Sequence, residues 1–334
     1  MKLHNRIRVA LALLALAALA AAPAFSWGER EVAEGQFERT LSVSGPLDLN
    51  VRTHSGSITV TQGSGSQIRI LGTIKVRRDR LSDAQALVKE IEANPPIEQS
   101  GNTVRIGLRD RDEENRELRR NISISYELVV PKATRMVSST GSGSQSITGI
   151  AGPLDATTGS GGLTLSSIGA EVTASTGSGS IKIDGANGRL RANTGSGSIR
   201  ATGVAGAINA STGSGSIELQ QVAAGDVEAS TGSGGIDVSG VKGRLRVRTG
   251  SGTIRAEGTP TGDWSLHTSS GGIYVRLPVD AAFDLEAETS SGRINSAHPV
   301  TMIGSLSPRK MHGKVRGGGF RLDVSTSSGS IRIE

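Results

Sequence analysis

Six residues, Thr176-Gly177-Ser178-Gly179-Ser180-Ile181, return along the chain at nearly constant spacing, and that spacing dictates what the chain can fold into. The Thr of the phrase recurs at Thr140, Thr158, Thr176, Thr194, Thr212, Thr231, Thr249, Thr268 and Thr289, at intervals of 18, 18, 18, 18, 19, 18, 19 and 21 residues. Outlying copies open at Thr53 and Thr326. A unit of about 18 residues cannot enclose a core of its own, so the units must stack on one another. The residues before each Thr alternate. Leu245, Val247 and Thr249 share one parity and Arg246 and Arg248 the other, the mark of a strand with one buried face. After the Gly-Ser-Gly the alternation resumes, with Ile181 and Ile183 inward and Lys182 and Asp184 outward. Each repeat therefore reads as strand, Gly-rich corner, strand, second turn: one coil of an all-β solenoid (β-helix).

Glycine suits the corner because it adopts positive φ without steric cost. The Thr residues fall on the parity of Val and Leu, which makes them an internal hydroxyl ladder and not an exposed ice-binding array. A repeat array is one quasi-linear body, so 334 residues need not divide into globular domains. Aromatics at 2% and 46 glycines dictate a thin core of Ala, Val, Ile and Leu. About eleven coils at roughly 4.8 Å would give a rod some 50 to 55 Å long.

Residues 1–26 have the pattern of a secretory signal peptide. Lys2, Arg6 and Arg8 precede the apolar run Val9 to Ala22, which is short for a membrane span, and cleavage fits after Ala24 or after Ser26. Removal takes three positive charges and no negative ones, so the formal net charge falls from +6 to +3. No transmembrane span then remains, and the product is periplasmic or extracellular. With no cysteine, disulfides, thiolate chemistry and lipid attachment through an N-terminal Cys are excluded.

Residues 37–139 hold the first coil, Leu47 to Ile58, and an α+β excursion. The excursion reads as a strand Gln67 to Arg77, a helix capped by Ser82 with Gln85 completing a capping box, a hairpin at Ile97 to Leu108, a charged run Arg109 to Arg120 and a strand Ile122 to Val130. Regular coils fill 140–334, with Gln145-Ser146 suggesting a bulge before Ile147. A basic loop at 295–319 then returns the chain to a final coil, Phe320 to Glu334.

Three features carry a resemblance: the Thr-x-Ser-Gly-x-Ile phrase, the excursion rejoining at Leu128-Val129-Val130-Pro131, and Gly317-Gly318-Gly319-Phe320 leading to Thr326-Ser327-Ser328-Gly329-Ser330-Ile331. Over about residues 40–334 the chain resembles a bacterial family of secreted β-solenoid domains of unknown function, labelled as candidate adhesins. Here Ser stands where such families often place Asn or Asp. The resemblance implies no catalytic residues.

The residues themselves show no reactive constellation. Outside the leader the histidines are His54, His267, His298 and His312, none with carboxylates at metal-ligand spacing. The corners carry Ser where calcium β-rolls carry Asp, and no cofactor motif is present. No basic-aromatic platform of the nucleic-acid kind appears. The reading is a non-enzymatic binding scaffold, with a structural or envelope-stress assembly role and a polysaccharide-cleaving β-helix enzyme as alternatives. Its candidate contact with an anionic envelope component, an anionic glycan or lipopolysaccharide, is Arg309, Lys310, Lys314 and Arg316, four cations in a segment without an acid. The bland alternative is that these charges guard an open sheet edge.

Overall fold

The computed structural model describes residues 31–108, 121–303 and 307–334. The leader and the Arg109 to Arg120 run lie outside the described residues. Two sheets face each other, a first of 14 strands and a second of 15. Each regular coil gives one strand to each sheet, as Val172–Thr176 does to the second and Ile181–Ala186 to the first. Neighbouring coils pair in parallel and in register, so Val172 lies beside Leu190, Ala174 beside Ala192 and Thr176 beside Thr194. The near-constant period is thereby converted into columns of like residues. The inward columns join in one buried cluster along the stack, mostly Ala, Val, Ile and Leu, and its largest buried side chains include Trp264, Tyr126 and Phe283 towards the ends.

The Thr column is buried, yet its hydroxyls do not bond to one another. Thr176 Oγ1 donates to the carbonyl of Gly161 in the preceding coil at 2.9 Å and accepts from the Gly179 N–H of its own corner at 3.1 Å. Thr158 and Thr194 repeat both bonds. In these coils the hydroxyl closes a corner and ties it to the neighbouring coil, and from Thr212 onward the tie to the neighbouring coil alone is kept. The corner glycines have a related reason. Gly161, Gly179 and Gly197 do not adopt positive φ, although Gly56 and Gly271 in other coils do, at 140° and 142°. What all of them share is a main-chain carbonyl of the neighbouring coil pressed against the site where a Cβ would stand.

Further expectations need correction. Gln145 is no bulge. It pairs in register with Leu163, taking the column position of the Ile, and it is buried with bonds to Ser138 Oγ and to the Thr157 carbonyl at 2.6 Å. Its polarity hid the register. The helix, Leu81–Ala93, starts one residue before Ser82, with Arg80 at the N-cap and no side-chain cap; Ser82 Oγ bonds Asp83 instead. Ala84, Val88 and Ile91 bury its inner face against the Glu31–Ser42 and Gln67–Arg78 strands. The Glu31–Ser42 strand carries little sequence signal, because only Ala33 and Phe37 in it are buried.

The levels number twelve and not about eleven, since Thr103–Ile106 and Ile122–Val130 of the excursion form a coil themselves. At roughly 4.8 Å per strand the first sheet runs about 60 Å.

Finally, the coils do not stack in chain order. The Phe320–Ser328 strand lies between Trp264–Ser270 and Phe283–Ser291, and Ile331–Ile333 lies between Ile273–Arg276 and Ile294–Ser296. At the other end the Leu47–Thr53 strand is likewise held between Thr103–Ile106 and Thr134–Thr140. Nor is the basic 295–319 segment simply a loop: at the Phe283–Ser291 end of the stack its Lys310–Val315 strand extends the second sheet antiparallel to Phe283–Ser291, and its Val300–Met302 strand pairs antiparallel with Lys310–Val315 beyond that.

Candidate functional site

Because inward columns are spent on packing, chemistry is confined to the outward rows. On the first sheet two such rows line an open groove of about 760 Å³. One row carries Arg200, Glu218, Asp237, Arg255, Tyr274 and Arg332, each beside the next through parallel pairing. The other carries Glu257, Arg276 and Glu334. Opposite charges meet across coils: Arg200 to Glu218 at 2.6 Å, Arg255 to Asp237 at 3.3 Å, Arg276 to Glu257 at 3.9 Å and to Glu334 at 4.0 Å. These pairs are exposed, so they add little stability. Their effect is to hold planar polar groups in fixed rows. Tyr274 is 43% exposed, with the Arg255 guanidinium 5.5 Å from its ring centre. The groove offers an apolar ring face among hydrogen-bonding groups, with every acid already paired.

The second sheet bears a groove of about 580 Å³ lined by Arg189, Arg191, Asp226, Glu228, Arg246 and Asp263 among others. Arg244 pairs with Asp226 at 3.3 Å, and Asn209 Nδ2 donates to Glu228 at 3.1 Å. Beside this groove, His267 Nε2 lies 2.8 Å from Ser265 Oγ and its Nδ1 lies 2.6 Å from Ser325 Oγ. Ser265 and His267, two apart on one strand face, were legible; Ser325, which comes from a coil 58 residues on, was not. The chain Ser–His–Ser has no carboxylate on the ring, and the main-chain N–H groups around it belong to the parallel ladder. Without an orienting acid or free oxyanion donors it is a poor nucleophile and a good hydrogen-bonding platform.

The four predicted contact residues are placed by the end hairpin. Lys310 Nζ lies 3.8 Å from Glu288 and Lys314 Nζ 3.8 Å from Asp284, both on the neighbouring Phe283–Ser291 strand. Arg316 donates to the Val279 carbonyl at 3.0 and 3.2 Å. Arg309 is exposed and has no ion-pair partner among the described residues. The segment lacks acids in sequence, and an acidic strand supplies them in space. On the same strand Glu286 takes Arg321, and that hydrogen bond, followed by the charges of Glu286 and Asp323, raises the guanidinium pKa above its ordinary value.

Among the described residues no group of three His, Asp or Glu could hold a metal ion, and no helix is long and apolar enough to cross a membrane. His298 is buried edge-on to Phe283, its Nε2 without a hydrogen-bond partner.

In sequence, the family model described as Toastrack DUF4097 matches residues 48–334. No curated protein matches the chain. Solved structures also resemble it, among them the following three. A candidate cell adhesion protein from Clostridium sporogenes is 13% identical, covering 90% of this chain and 99% of that one at a TM-score of 0.21. A candidate adhesin from Bacteroides fragilis is 12% identical, with coverages of 90% and 97% and a TM-score of 0.24. A candidate adhesin from Parabacteroides merdae is 8% identical, with coverages of 90% and 96% and a TM-score of 0.25.

Proposed function

This chain belongs to the Toastrack DUF4097 family, and on that premise we propose that it is a non-enzymatic binding scaffold, exported to the cell envelope through its 1–26 leader, whose first-sheet groove engages an envelope glycan. The observation that carries this reading is the groove itself: an exposed Tyr274 ring flanked by rows of guanidinium and carboxylate groups already paired with one another. A sugar presents an apolar ring face and a periphery of hydroxyls, which such a surface matches by stacking and bidentate hydrogen bonding. A hydrolase would instead need a carboxylic acid and an unpaired carboxylate facing one bond. The end hairpin is read as an edge guard, since Lys310 and Lys314 dock on acids of the strand they cover.

Binding to an array of bacterial envelope glycans, with release of reducing ends followed in parallel, tests this. The protein is expected to bind without turnover. Changing Tyr274→Ala together with Arg276→Gln is expected to weaken binding at least about tenfold with the melting temperature unchanged. Undiminished binding by that variant, or release of reducing ends, would overturn the reading.

A further inference from the structure

Several outward arginines of the regular coils pair with a carboxylate in a neighbouring coil, as Arg200, Arg255 and Arg244 do. Arg246 and Arg248 do not. Both are exposed on the second sheet, and neither has an ion-pair partner among the described residues. Glu228 stands beside Arg246 in register, yet its Oε2 is engaged by Asn209 on the other side. In the next coil Arg246 adjoins Ser265 and Arg248 adjoins His267, and His267 adjoins Ser325. Two unpaired guanidiniums therefore border a histidine ring pinned by hydroxyls at both nitrogens.

We propose that Arg246, Arg248, Ser265, His267 and Ser325 form an oxyanion-binding site for a phosphate or carboxylate group carried on a polymer. The hydrogen-bond inventory favours an acceptor-only ligand. A neutral imidazole has one N–H and one bare nitrogen, so whichever hydroxyl receives the N–H keeps its own proton free to donate outward. Guanidinium forks match the oxygens of phosphate and carboxylate, and both arginines lack any such partner among the described residues. Of the acids nearby, Asp263 accepts from the Arg321 main-chain N–H at 2.9 Å, while Asp323 stands in register beside Ser265 at the far edge of the site from Arg246 and Arg248. The polymer is indicated by the groove running down the sheet from this site, where Arg189 and Arg191 are also without ion-pair partners among the described residues. The site lies on the face opposite Tyr274, so it stands or falls apart from the glycan groove.

Calorimetric titration of the whole protein at low salt, with inorganic phosphate and with a trimer of galacturonic acid, tests it. Both probes are expected to bind, the trimer more tightly because its further carboxylates reach Arg191. The Arg246→Gln, Arg248→Gln double variant is expected to lose about tenfold or more for both probes, while Lys182→Gln, which removes an exposed cation from the other sheet, changes neither. Equal loss in Lys182→Gln would mean diffuse charge attraction and would overturn the site, as would parent-like binding by the double variant or no binding of either probe by the parent. Phosphate binding with no gain for the trimer would overturn the polymer.

Discussion

Replacing Gly161 with Ala is expected to collapse the coils around that corner, while the same change one residue later, at Gly162, leaves the stack intact. A Cβ on Gly161 would stand 1.9 Å from the carbonyl oxygen of Gly143, whereas on Gly162 its nearest neighbour is the Ser180 carbonyl oxygen at 3.5 Å. Neither residue adopts positive φ, so the contrast is one of space alone. The oxygen that would have to move is main chain, fixed within a ladder whose corners recur every coil. Overpacking against a side chain costs about 1–3 kcal/mol; against a ladder that cannot yield, the cost falls at or beyond the upper end of that range. Gly162→Ala should instead add up to about 0.4–1 kcal/mol by restricting the unfolded chain. The chain already runs this experiment, with Ser144, Ser180 and Ser198 at the equivalent position and glycine alone at Gly143, Gly179 and Gly197. Thermal melting of the two variants checks it; indistinguishable curves would mean that the corners are looser than the structure has them.

Removing residues 320–334 is the second large perturbation. In a stack of nearest neighbours, loss of an end coil costs one interface. Here the removed coil is flanked on both sides, by Trp264–Ser270 and Phe283–Ser291 in one sheet and by Ile273–Arg276 and Ile294–Ser296 in the other. It takes with it the buried Leu322, Val324, Ile331 and Ile333 and leaves Trp264 and Phe283 facing a gap. The 277–319 segment should become sensitive to limited proteolysis, and the melting temperature should fall. Binding at both outer faces should also weaken, because Arg332 and Glu334 belong to the first-sheet groove and Ser325 to the oxyanion site. A truncated chain as protease-resistant as the parent would contradict this.

The period and parity of the sequence determine the coil, the inward columns and the corner, because each follows from local alternation and from residues that only a corner tolerates. Gln145 and the start of the helix are not legible locally, since a polar residue in a column and an uncapped first turn carry no local signal. The order of the end coils was beyond local reading altogether: the Thr249, Thr268, Thr289 and Thr326 copies look alike, and nothing in one phrase says which copy it will lie beside. The candidate sites share that opacity. Tyr274 and the Ser265, His267 pair are visible as outward residues, but their partners Arg332 and Ser325 arrive only through the inserted coil. The basic segment shows the converse, its unbalanced charge in sequence being met by Asp284 and Glu288 from an adjacent strand.

Both candidate surfaces thus depend on residues 320–334 lying between the two coils that precede them in sequence. The chain has no cysteine, so introduced pairs report this without background. Ser265 and Asp323 are register partners on adjacent strands, about 4.8 Å apart and within disulfide reach, while Ser265 and Glu286 are separated by the inserted strand at about 10 Å. Under mild oxidation the Ser265→Cys, Asp323→Cys variant should cross-link within the monomer and the Ser265→Cys, Glu286→Cys variant should not. Coils stacked in chain order would give the reverse, with Ser265 bridged to Glu286 and Asp323 left free.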